Sequence, residues 1–139
     1  MSLSLVKPYF VARCEEVGLQ RHPDPFNESN IPSTLIDYAY QLNLTTASIR
    51  KMNQNDLELD APIEVIFYVK GYRDPDSGQD DAISKAEELI VACEAPSLRL
   101  GTGLKNVIFQ TMAIESLDAT NDNIIRVRLN FNTITILAI

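Results

Sequence analysis

The sequence predicts an α+β fold in a single domain over 1–139, with a mostly antiparallel sheet of about four to five strands and two main helices packed on one side of it. Three observations carry that prediction. Apolar residues recur at helical spacing in two separate segments, and others alternate with period two. The segments follow the order helix, loop, strand hairpin, helix, strand hairpin, in which short turns join antiparallel neighbours. At 139 residues, 45% apolar and 22% charged, the chain has material for one core and no room for a second domain.

Leu3, Val6, Phe10, Cys14 and Val17 stand three or four apart and mark one face of an amphipathic helix. Ser2 or Ser4 suits its cap, Pro8 is tolerable only near its first turn, and Gly18 suits its exit. From 19 to 34 the pattern vanishes into "RHPDPFNESNIPS", a loop with three prolines. Tyr38, Tyr40, Leu42 and Leu44 then alternate with Ala39, Gln41 and Asn43. A second strand sets Ile63, Val65, Phe67 and Val69 against Glu64, Ile66, Tyr68 and Lys70. Between the two, "NQND" at 53–56 reads as a hairpin tip, and its flanks, 49–52 and 57–59, extend both strands into an arm beyond the core.

"YRDPDSGQDDA", at 72–82, leads into the clearest helix. Ala82, Ile83, Ala86, Leu89, Ile90 and Cys93 form its apolar stripe, while Lys85, Glu87, Glu88 and Glu94 face water. Pro96, Gly101 and Gly103 end it. Two final strands, at roughly 105–116 and 123–138, are joined by "DATNDN". The last alternates at Ile125, Val127, Leu129 and Phe131, then its apolar positions switch parity to Ile134 and Ile136. That switch predicts a bulge, or a change of partner surface, near Asn132 and Thr133.

The net charge of −7 disfavours a grip on DNA phosphates, though not a protein that DNA slides past without sticking. No run of 18 apolar residues predicts a membrane helix. The opening "MSLSLVKPYF" shows no export signal, so a cytosolic chain with two buried, free thiols, Cys14 and Cys93, is expected. In that setting the "NES" acceptor at 27–29 is idle.

Candidate chemistries are few. Asp74, Asp76, Asp80 and Asp81 invite a calcium loop, but counting from Asp74 puts Gly78 at position five, Gln79 at six and Lys85 at twelve, where the ion needs a glutamate. "DPDSG" is better read as a turn, with Asp80 or Asp81 capping the helix that follows. His22, the one histidine, lacks any metal-ligand or nucleophile-elbow spacing and is expected at the surface. Glu15 and Glu16 read as solvated charge, and "GTG" at 101–103 is too short to cradle phosphate. Neither an enzyme nor a cofactor or metal site is predicted. What stands out is a second apolar face. Ile66, Tyr68, Ile134 and Ile136 fall on the sheet face opposite the main core pattern, and the chain ends on "ILAI", which fits either a contact surface or a two-sided sheet with a helix on each face. With the arm tip, this nominates Met52, Asn53, Gln54, Asn55, Ile134 and Ile136 for self-association.

In order, "IDYAYQLNL", the long hairpin, "IEVIFYVKGYRDP" running into "AISKAEELIVAC", and the closing "NVIFQTMAIESL…NIIRVRLNFNTITI" resemble the tail terminator and tail-completion proteins of long-tailed bacteriophages. The resemblance covers nearly the whole chain and rests on patterns of residue type. It implies a structural protein of the virion that assembles in the host cytoplasm. Copies of the chain, usually six, would form a ring at the head-proximal end of the tail. That ring would cap the tail tube and meet the head-side connector or completion protein, while DNA passes without specific binding. A neck or head–tail joining protein is the nearest alternative. From a different class, a small ligand- or metal-binding α+β protein would use 74–81.

Overall fold

The first helix, α1 (Val6–Glu16), buries Val6, Phe10 and Cys14 completely, the three central positions of the predicted face. It belongs to a computed structural model that describes residues 6–23, 26, 31–32, 35–44, 47–51, 53–70, 75–95, 104–117 and 123–138. Leu3, Ser2 and Ser4 lie outside these. Pro8 is the third helical residue, where a missing amide breaks no intrahelical bond. At the other end Gly18 has φ +91°, Leu19 N–H donates to the Cys14 carbonyl (3.0 Å), and Gly18 N–H donates to that of Glu15 (3.1 Å). This pair of bonds closes the helix as a Schellman motif and drops Leu19 into the core.

The expected loop contains a two-residue strand, β1 (Gln20–Arg21), parallel to β2 (Ala39–Leu44). Two residues are too few to leave a periodicity in sequence. Next come β3 (Ser48–Lys51), β4 (Asp56–Lys70), α2 (Pro75–Glu94), β5 (Leu104–Leu117) and β6 (Ile124–Ala138). The described residues form one six-stranded sheet in the order β1-β2-β4-β6-β5, with β3 beside β4 beyond the end of β2. Every pair except β1–β2 is antiparallel. The prediction of four to five strands is extended by β1 and by the division of the first hairpin strand into β2 and β3.

β4 is the axis of the fold. Its helix-side residues Ile63, Val65, Phe67 and Val69 pack with Ile125, Val127, Leu129 and Phe131 of β6, with Phe10 and Cys14 of α1, and with Ala82, Ala86, Leu89 and Cys93 of α2. Phe131 touches Phe10 and Phe109, at ring-centroid distances of 5.2 and 5.6 Å. Tyr9 donates its hydroxyl to the Cys93 carbonyl (2.6 Å), tying α1 to α2. On the opposite face Ile66 and Tyr68 join Leu35, Ala39 and Ile124 in a second, smaller cluster, edged by Phe26, Ile31, Ile36 and Leu117. Among the described residues no helix contributes to that cluster, and the cover, from the segment before β2, lies at one end of the face.

Four expectations are corrected. β6 carries no bulge: all fifteen residues of β4 pair with it in continuous register. The irregularities lie in β5, at the extra residues Lys105 and Gln110. Because β6 runs straight, Thr133 and Thr135 take the buried helix-side positions while Ile134 and Ile136 turn to the open face. The Thr133 hydroxyl meets the Ala61 carbonyl at 2.8 Å, which makes a buried threonine tolerable there. Second, α2 begins at Pro75, so Asp80 and Asp81 lie inside the helix, and the acidic residue of the first turn is Asp76. Proline suits the first helical position and a carboxylate near it is favoured by the dipole. Third, Lys85 does not simply face water. Its ammonium donates to the Val17 carbonyl (2.6 Å) and lies 5.0 Å from the Tyr38 ring centre. Fourth, His22 is not at the surface but buried, edge-on to Phe26 at 5.3 Å.

Candidate interaction surface

The arm exists and is three strands wide. β3 pairs with β4 from Ser48↔Asp60 to Lys51↔Leu57, and β6 flanks β4 on its other side out to Asp56↔Ala138. Asn53 builds the tip: its side-chain oxygen accepts from the backbone amides of Asn55 (2.8 Å) and Asp56 (2.9 Å), an Asx turn. Asn53, Gln54 and Asn55 are all exposed, and Met52 lies outside the described residues. Ile134 and Ile136, half-buried, sit opposite Asp60 and Glu58, so the described ones among the predicted contact residues lie at one end of the sheet. All four residues of β3 are exposed, and among the described residues it is hydrogen-bonded on one side only.

Strand parity divides β3 between the two faces. Ile49 and Lys51 pair with Leu59 and Leu57 on the helix side, whereas Arg50 pairs with Glu58 on the open side and bonds its carboxylate. Glu58 is nearly buried while Arg50 remains mostly exposed. On the same side Asp60 has a buried carboxylate oxygen with no hydrogen-bond partner among the described residues. Ile108 of β5, opposite Asn132, adds an exposed apolar side chain beside Ile134 and Ile136. Sequence alone missed Ile108, because only the β5–β6 register places it on this face.

Towards the middle, the open face is polar. Asn43, Glu64, Asn130 and Thr111 form one transverse row across β2, β4, β6 and β5. Beside it Glu115 accepts from Arg126 (2.6 Å) and Arg128 (3.0 Å), and Arg128 also reaches Glu64 (3.4 Å). The hydrogen bonds from Arg126, then Arg128, hold the Glu115 carboxyl below its usual range. Its side chain is 39% exposed, so solvent screening keeps each pair to about 1 kcal/mol or less.

The helix layer carries the acid. α2 holds six carboxylates and one lysine, a net −5 of the chain's −7. Val91, 70% exposed, sits beside Glu87 and Glu88 on its outer face, while the Glu94 carboxylate accepts from the Phe109 amide of β5 (3.0 Å). Beside it a shallow open groove runs between α2 and the end of α1, lined by Glu16, Val17, Ser84 and Ala92 with Val91.

The groups with reactive potential are held quiet or apart. Cys14 and Cys93 are buried and unbonded to each other, and burial pushes the Cys14 thiol up to about 12 and that of Cys93 higher still. Asp76, Asp80 and Asp81 are spread along a helix rather than a loop, so they cannot wrap an ion as a calcium loop does; Asp74 lies outside the described residues. Among the described residues no group of three or more metal-binding side chains gathers, and no helix is long and apolar enough to cross a membrane.

No protein-family model matches this chain, and no curated protein does.

Proposed function

We propose that the chain is a structural virion protein whose copies close into a ring, hexameric as the family resemblance implies, that caps the tail tube of a long-tailed phage and joins it to the head-side connector. The observation that carries this is the arm. Its outer strand exposes four consecutive residues and, among the described residues, one unpaired edge, and exposed edges are ordinarily blunted or covered by a neighbour. The apolar trio Ile108, Ile134 and Ile136 beside it supports a surface that meets another protein. An acidic chain suits a passage for DNA, because like charge keeps phosphate from sticking.

The test is to mix purified protein with tail tubes lacking their head-proximal cap and view them by negative-stain microscopy. Density at one end of each tube, with growth stopped there, is expected. Binding to isolated connectors but not to tube ends would favour the neck-protein alternative, and binding to neither would overturn the proposal.

A further inference from the structure

Resting on that self-association reading and naming its contact, we infer that the helix-side surface of the arm docks on a second copy of this chain, with Ile49 seated on Val91 in the groove between α1 and α2 and Lys51 meeting the carboxylates of Glu87 and Glu88. The two surfaces are unlike and complementary. Ile49 and Val91 have the largest exposed fractions, 65% and 70%, among the large apolar side chains described. Each stands beside charge of one sign. On β3, Lys51 shares the face of Ile49, while Arg50 is turned away and held by Glu58. On α2, Glu88 and Glu87 precede Val91 by three and four positions, one turn along the same surface. The α2 lysine, Lys85, reaches Glu88 only loosely (3.4 Å) and is committed to the Val17 carbonyl (2.6 Å).

The spacings agree as well. Side chains two apart on a strand stand about 6.7 Å apart, and one helical turn rises about 5.4 Å. An isoleucine placed on Val91 therefore brings the lysine within reach of either carboxylate. A chain cannot bury both members at its own expense, because the arm projects from the end of the sheet beyond β2, whereas the groove lies on the outer side of the helix layer. The contact is head-to-tail, so each copy offers one arm and one groove, and a closed ring satisfies every one. Asp76, Asp80 and Asp81, at the other end of α2, remain free of the arm.

The decisive experiment mixes Ile49→Cys protein with Val91→Cys protein and adds a short bis-maleimide. The native thiols are buried and protonated, so the introduced cysteines are the ones that react. A covalent dimer should form in the mixture and not in either variant alone, and the double variant should give a ladder. Lys51→Glu should weaken association about tenfold, and adding Glu87→Lys should restore it. If light scattering shows assembled protein but no cross-link forms and the charge reversals change nothing, this contact is wrong while self-association stands. If the protein stays a monomer, both fall.

Discussion

The two faces of this sheet are built from the same strands, residue by residue in alternation, yet they do different work. On the helix side, Val65, Phe67, Val127, Leu129 and Phe131 are fully buried beneath α1 and α2. On the open side the intervening residues give an apolar end under the segment before β2, a polar centre held by Glu115 and two arginines, and an uncovered end at the arm. Stability is concentrated on the first face. Away from the buried cluster of Ile66, Tyr68 and Ile124, the second face can change with less effect on folding, and that freedom is what a contact surface needs.

The largest effect that would break this contrast lies at Phe131. Phe131→Ala removes a ring packed against two others and should cost about 3–5 kcal/mol, read from urea denaturation. Ile134→Ala, three residues on and half-buried, should cost about 1 kcal/mol. Equal costs would mean that the open face is not open in solution. Next is Lys85→Met, which removes a charged hydrogen bond to Val17 and should cost about 1.5–3 kcal/mol, whereas a solvent-facing lysine would cost nothing measurable.

Smaller, but sharper in sign, is the alkaline limit. Cys14 is raised from its ordinary 9.0 to about 12, so the unfolded chain gives up that proton first and holds fewer protons than the native state above pH 9. The stability this thiol contributes is complete below pH 9 and is lost as pH rises towards 12; a Cys14→Ala variant should show a shallower loss across that window. The smallest effect belongs to Glu115→Gln, below about 1 kcal/mol. Glu115 is depressed below 4.5, so its contribution is present above pH 4.5 and disappears as pH falls through its folded value. Variant and wild type should therefore converge in acid.

Much of this division was legible in the sequence wherever one periodicity ran long enough. The alternation of Ile63 to Val69 against Glu64 to Lys70 assigned both faces of β4, and the stripe from Ala82 to Cys93 assigned α2. Legibility failed where a residue type has two uses. Threonine serves buried and exposed strand positions alike, so Thr133 and Thr135 hid the unbroken alternation of β6 and made Ile134 look like the sign of a bulge. Proline and glycine mark turns, yet Pro75 opens α2 and Gly78 is buried within it. Lys85 and His22 are polar by type, and only the tertiary fold supplies the Val17 carbonyl and the Phe26 ring that engage them. Of the proposed contact residues, Asn53, Gln54, Asn55, Ile134 and Ile136 came from hairpin and parity arguments. Ile49 and Ile108 needed the strand register, and Val91 needed the packing of α2.

The central claim, that copies of this chain close on one another, is tested most directly by native mass spectrometry of the purified protein over a concentration series. A single closed species of six times 15.5 kDa, giving way directly to monomer on dilution, is the predicted result. A monomer of 15.5 kDa at every concentration would contradict it.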